Sequence, residues 1–270
     1  KTFSSKILAA RDYAAVIGEF RMLGSSNSIA CANIMLNAAV ADTLAQFADK
    51  LTDAKDFEAA LHDLIRDTVK EHKRIIFNGN GYDDAWIKEA TEARGLLNLR
   101  TTPDALRTLL WQKNIDMLTR QKVFSLPELR SRYEITLENY CKTVNIEALT
   151  MLDMVHREIL PAIEKYISVI ASTALAKAQA VPGISCRYES AMVKRLTSLT
   201  EGADTAAERL AAAVADYRAI TDVTAAADSI RDSVIPAMDA LRAVCDEAET
   251  IVGEEYWCFP TYEKLLFSVR

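Results

Sequence analysis

Near its start the chain carries three residues, Glu19-Phe20-Arg21, whose types and spacing could do chemistry. In an extended backbone Glu19 and Arg21 share one face, two residues apart. A carboxylate there suits a divalent cation, and a guanidinium beside it suits an anionic substrate; a surface ion pair has the same spacing. The other chemistry-bearing residues are scattered. His62, His72 and His156 are isolated, and Cys31, Cys141, Cys186, Cys245 and Cys258 form an odd set without CxxC spacing. That pattern reads as reduced thiols of a cytoplasmic protein and argues against a zinc site. His156 lies among Met151, Met154 and Leu160, so it is expected to be a partly buried structural histidine, with the methionines as core filler. Glycine-rich phosphate loops, HExxH, GxSxG and EF-hand patterns do not occur, so phosphate cradles and metalloprotease sites have no support.

Composition says what kind of element must hold these residues. With 50% hydrophobic and 26% charged residues but only 8 Gly and 6 Pro, the chain is too poor in glycine for a loop-rich fold. A chain of 270 residues can bury a large core without a crosslink, as one domain or two. Its net charge of -6 offers no basic face to a phosphate backbone, so no nucleic-acid partner is expected. Apolar runs such as 171–180 break off well short of the roughly 20 residues that cross a bilayer, and no basic segment leads an apolar run at the start. No membrane contact is therefore expected. The first residue is Lys1 and not Met, which suggests a processed product, an expressed segment or part of something longer.

Periodicity predicts helices throughout. Over 27–50, Ile29, Ile34, Leu36, Val40, Leu44 and Phe47 recur mostly three, four or seven apart, the pattern of a buried amphipathic helix with Asn27 and Ser28 as caps. A second helix is predicted over 53–74, with Phe57, Leu61, Leu64, Ile65 and Val69 on one face. Asn78-Gly79-Asn80-Gly81 predicts tight turns with positive φ, followed by a short helix over 83–93 closed by Gly95. Thr102 is the expected N-cap of the next helix, with Pro103 behind it. Ser125 and Glu128 form a capping box that opens a helix with no strong stop before Val181-Pro182-Gly183, and Pro161 predicts a kink within it. Such a helix, about 80 Å long at 1.5 Å per residue, would have to bend or protrude.

The most regular pattern follows. Met192, Leu196, Leu199, Ala203, Ala206, Leu210, Ala213, Tyr217 and Ile220 alternate four and three apart, a heptad seam that crosses Gly202. Thr221-Asp222 can cap a return helix in which Ile230, Val234, Leu241, Cys245, Ala248 and Val252 face that seam, giving an antiparallel hairpin. Pro236 interrupts the return helix as Pro161 interrupts its own, and the two are expected to pack side by side. The aromatic tail Tyr256-Trp257-Cys258-Phe259 is expected to dock on the body. No segment shows the alternating β-branched and polar run that a sheet needs, and the piece nearest to that pattern, 14–23, is about ten residues long, so the chain is mainly all-α: a helical bundle with long kinked helices, an antiparallel hairpin and a short strand remnant near the start.

Glu19-Phe20-Arg21-Met22-Leu23-Gly24-Ser25-Ser26, continuing into Asn33-Ile34-Met35-Leu36-Asn37, resembles the end of the catalytic domain of type III glutamine synthetase, the long bacterial form. Ile76-Phe77-Asn78-Gly79-Asn80-Gly81-Tyr82, Arg94-Gly95-Leu96, Ser131-Arg132-Tyr133-Glu134, Ile146-Glu147-Ala148-Leu149-Thr150-Met151 and Phe259-Pro260-Thr261-Tyr262 resemble the same family in order, over residues 18–270. The resemblance implies the end of a catalytic domain over 1–50 and a helical C-terminal extension over 51–270. It implies that Glu19 is a ligand to the metal that binds ATP, and that Arg21 contacts the glutamate or phosphoryl side of the active site. It further implies Mg2+ or Mn2+ and ATP in the complete enzyme, other glutamine synthetase subunits as partners in a homo-oligomer, and a cytoplasmic, ATP-dependent glutamate–ammonia ligase of nitrogen metabolism. This chain alone is expected to be inactive and to bind none of these cofactors. The alternative is a free-standing helical protein-interaction module derived from that family.

Overall fold

The computed structural model describes residues 28–267, and among them every regular element is helical. The all-α expectation holds, while the strand expected over 14–23 lies outside the described residues. The chain divides into two compact units at Leu137 and Glu138.

In the first unit α1 is Ala30–Leu51, α2 is Phe57–His72, α3 is Asp84–Lys88, α4 is Thr102–Arg107 and α5 is Gln112–Arg120; α6, Leu126–Met154, begins here. The burial of α1 departs from its apolar pattern. Ile29, Leu36, Val40 and Leu44 are exposed, and the buried stripe is Ala32, Ala38, Ala39 and Asp42. Small side chains let α5 approach closely, and Ala38 and Ala39 pack with Met117, Leu118 and Leu129. Asp42, 1% exposed, is tolerated there because Arg120 Nε donates to it at 2.8 Å, Gln46 Nε2 at 2.8 Å and Gln121 Nε2 at 3.2 Å. Helix α2 starts four residues later than expected, on the Asp56 cap, and buries none of its residues; Phe57, Ile65 and Val69 face outward.

Chain stops follow local chemistry. Thr101, one residue before the expected cap, accepts from Asp104 N, and Pro103 follows within the first turn of α4. At the end of α5, Lys122 takes φ 54°, while Lys122 N donates to Thr119 O and Val123 N to Leu118 O. This is a Schellman stop with lysine where glycine is usual. One arm of the expected capping box forms: the backbone N–H of Ser125 donates to Glu128 at 2.7 Å, and its hydroxyl donates to the same carboxylate at 2.8 Å.

The second unit holds the rest of α6, α7 (Leu160–Ala180), α8 (Arg187–Arg218), α9 (Val223–Ser229) and α10 (Ile235–Glu249). The defects expected at the prolines are π-turns, Val155–Ile159 before Pro161 and Ile230–Val234 before Pro236. Widening the helix for one turn removes the clash of the ring with the preceding carbonyls. Helix α7 ends as expected, where Pro182 and Gly183 (φ 82°) form a turn closed by Ile184 N donating to Val181 O. The side-by-side pairing expected of the two Pro-bearing helices gives way to packing of both α7 and α10 on α8.

The heptad seam lies in this core. Leu196, Leu199, Ala203, Leu210 and Tyr217 are buried, with Ala207 and Val214 more deeply placed than the neighbouring Ala206 and Ala213. Gly202 does not interrupt α8; a Cβ there would meet Val244 at 3.5 Å. Asp222 caps α9 by accepting from Ala225 N, and Ile230, Val234, Leu241, Cys245, Ala248 and Val252 are all buried. The hairpin is thus read correctly from spacing. The tail docks as expected, with Tyr256 ringed against Tyr166 at 5.2 Å and Trp257 Nε1 donating to Glu249.

The helical run Leu126–Ala180 is long and apolar enough by length and composition to cross a membrane, which the interrupted apolar runs did not suggest. Its Val155, Ile159, Ile163 and Ile170 lie in the core of the second unit, although only 22% of its most apolar window is buried.

Burial pushes the Cys245 thiol up to about 11, whereas Cys31 is exposed. Iodoacetamide at pH 8 should therefore label Cys31 first and Cys245 only on unfolding, as followed by peptide mass mapping. The same thiol gives a pH dependence. Between pH 9.0 and about 11 the unfolded chain loses a proton that the folded chain keeps, so this contribution to stability falls as pH rises through that window.

Candidate functional site

Glu19 and Arg21 lie outside the described residues. Among the described residues, no group of three or more His, Cys, Asp or Glu is placed to hold a metal ion. His156, expected to be partly buried, is exposed on the π-turn Val155–Ile159. The first unit builds two other features.

The first is the segment after α2. Phe77 stacks on Trp86 with ring centroids 3.6 Å apart, and the Arg94 guanidinium lies 4.7 Å over the same indole. Arg94 Nη1 donates to the carbonyls of Arg74 and Ile76, at 3.2 and 2.9 Å, and its other nitrogens hold Glu89 at 2.6 and 2.8 Å. Arg74 returns a bond to the Arg94 carbonyl at 3.2 Å. The two arginines therefore staple the end of α2 to the end of the π-turn Glu89–Ala93, which Gly95 closes at φ 61°. Gly79 and Gly81, expected at positive φ, are not among the positive-φ residues. What Gly79 provides is room: a Cβ there would sit 2.8 Å from the Phe77 ring. Instead of a two-glycine turn, Asn80 shapes the loop by accepting from Tyr82 N at 3.1 Å, leaving Tyr82 exposed.

The second is a cavity of about 460 Å³ among α1, α4, α5 and the start of α6. Ala32, Met35, Leu106, Leu109, Met117 and Phe124 give it apolar walls. Its polar lining is sparse. Asn114, 8% exposed, donates through Nδ2 to the Thr108 carbonyl, and its Oδ1 is buried without a hydrogen-bond partner. Glu128 is held below the usual carboxylate range, chiefly by the Ser125 backbone N–H and then by the Ser125 hydroxyl. Arg132 lies 4.3 Å over the Phe124 ring. Sequence reading singled out Glu128 and Arg132 for other reasons and did not find the cavity, because its lining comes from four separated segments that only the fold brings together.

Both features are built on helices of the first unit. The glutamine synthetase C-terminal domain family matches residues 60–178, a span that takes in the stapled loop, the polar side of the cavity and the long helical run up to α7. A glutamine synthetase of Butyrivibrio fibrisolvens is 34% identical over 215 residues, 80% of this chain and 31% of that protein. A type-3 glutamine synthetase of Dictyostelium discoideum is 32% identical over 260 residues, 92% of this chain and 35% of that protein. A glutamine synthetase of Bacteroides fragilis is 28% identical over 260 residues, 93% of this chain and 35% of that protein. Residues 60–178 match the glutamine synthetase C-terminal domain, and most of the chain is similar to glutamine synthetases. The chain spans about a third of the length of the curated relatives it matches.

Proposed function

We propose that this chain is the C-terminal part of a cytoplasmic type III glutamine synthetase, an ATP-dependent glutamate–ammonia ligase, and that it does not make glutamine alone. The observation that carries the reading is identity of 32–34% with glutamine synthetases over 80–92% of the chain. In this reading residues 1–50 close the catalytic domain, Glu19 is a metal ligand, Arg21 contacts the glutamate or the phosphoryl group, and 51–270 serve assembly or regulation. Mg2+ or Mn2+ and ATP, bound by the complete enzyme, would supply the activated phosphoryl group. One carboxylate cannot hold such an ion against its hydration, which is why the separate chain is inactive.

Assembly with other glutamine synthetase subunits is supported by α1 and α2, whose Leu36, Val40, Leu44, Phe57, Ile65 and Val69 are exposed in an otherwise ordinary helical body. The heptads of α8 do not add to that argument, since they are consumed inside the second core. The same exposed stripes favour the second reading, a free-standing helical interaction module. Translation of the DNA upstream of Lys1 separates the two, because only the ligase has a catalytic region there. The activity is tested by phosphate release with ATP, glutamate, ammonia and magnesium. The chain alone should give no turnover. In the enzyme that carries it, Arg21→Ala should lower the rate about a hundredfold, the order seen when a group stabilising transition-state charge is removed. Full activity of the separate chain, or of the Arg21→Ala enzyme, would overturn the reading.

A further inference from the structure

We propose that the cavity among α1, α4, α5 and the start of α6 is a binding site for a small, neutral, mostly apolar molecule that carries one N–H or O–H donor. Four observations lead there. The volume, about 460 Å³, is within the range of small-molecule sites, and the walls are mainly aliphatic with one aromatic ring, Phe124. Asn114 lines the cavity, is more than nine-tenths buried, and leaves Oδ1 without a hydrogen-bond partner. A buried acceptor left unmade costs free energy that a ligand donor would recover. The orientation of the amide is fixed, because exchanging its oxygen and nitrogen would set an oxygen against the Thr108 carbonyl that Nδ2 now bonds.

The charges define the class further. Glu128 and Arg132 both line the cavity, one of each sign, four residues apart on α6. The carboxylate accepts from Ser125, and the guanidinium lies over the Phe124 face. With one charge of each sign the site selects neither an anion nor a cation by net charge, and the buried atom of its lining that lacks a partner, Asn114 Oδ1, calls for a donor. An apolar body with a single donor, such as a bicyclic aromatic amine or a phenol, meets that call. The inference does not rest on the proposed roles of Glu19 and Arg21, and it stands or falls independently of glutamine formation.

Titration of the whole chain with indole, followed by calorimetry and by heteronuclear NMR shifts, tests the proposal. Benzofuran, of the same shape but without the N–H, is the paired probe. Indole should bind saturably and about tenfold more tightly than benzofuran, the ratio that one recovered hydrogen bond of about 1.4 kcal/mol gives. Asn114→Leu should abolish the preference. Because that change also removes the bond to Thr108, Ala32→Leu serves as the second variant: it narrows the cavity, leaves Asn114 in place, and should weaken indole at least tenfold. Several outcomes would overturn the proposal. They are absence of saturable indole binding, equal affinity for benzofuran, and unchanged binding by Ala32→Leu, which would put the indole on the exposed faces of α1 and α2. Binding that arises only after residues 1–27 are removed would also overturn it, since the cavity would then be filled by the chain itself.

Discussion

Truncating Leu210 to alanine should cost about 3 to 4 kcal/mol of stability, the largest effect expected of a single substitution in this chain. Leu210 is fully buried in the middle of α8, in one core with Leu196, Ala203, Leu241 and Ala248. Alanine on the facing positions brings the helix axes together, and alanine cannot reach out to fill a void. The space left by the lost isobutyl group therefore stays open, and the cavity cost adds to the lost transfer energy. Urea denaturation measures it. Leu175→Ala, on the exposed side of α7, is the matched control and should change stability by less than about 0.5 kcal/mol. A change that small at Leu210 would mean that α8 does not pack as described.

Replacing Arg120 by alanine should destabilise the first unit by about 3 kcal/mol, and the reason is electrostatic. Its partner carboxylate, Asp42, is 1% exposed, while the Arg120 side chain itself is 57% exposed. The guanidinium can return to water at little cost; the carboxylate cannot. Removing the exposed partner therefore leaves the more expensive half of the pair behind, and the low end of the range for broken buried pairs applies because Gln46 and Gln121 still donate. Asp42→Ala should cost less than Arg120→Ala. In the double variant the losses should fall short of additive by at least about 1 kcal/mol, since the buried charge is then gone. Additive losses in urea denaturation of the four proteins would show that the two side chains do not act as a pair.

How far the sequence was legible depended on whether burial used large side chains. The α8 seam and the return helix were readable because Leu196, Leu210, Ile230 and Leu241 fall at helical spacing and face one core. Helix α1 was misread for the complementary reason. Its contact face is alanine and one aspartate, chosen for close approach and for Arg120, whereas the residues that make its pattern apolar are exposed. The cap of α4 was located to within one residue, at Thr101, because neighbouring threonines can each serve and only the entry angle decides, whereas that of α2 was missed by more. The left-handed Lys122 has no signal in its own identity; the Schellman bonds around it impose the conformation. The cavity is a property of the assembly of four segments, and its one informative atom, Asn114 Oδ1, is distinguished only by the absence of a bond. The roles given to Glu19 and Arg21 rest on resemblance alone, since their spacing fits a surface ion pair equally well.

The π-turns ahead of Pro161 and Pro236 have a consequence for how such helices change length over generations. Each turn holds one residue more than an α-helical turn would, so it is an absorbed insertion, and each lies directly before a proline that favours it. An inserted residue elsewhere in α8 would rotate everything after it by about 100° and turn Leu210 or Tyr217 out of the core. At Val155–Ile159 and Ile230–Val234 the wider turn takes up the extra residue locally, so that Ile163 and Ile170 in one helix, and Leu241 and Cys245 in the other, keep their inward phase. At each of these turns one residue can be lost, restoring an α-helical turn, while the helix on either side keeps its register on α8.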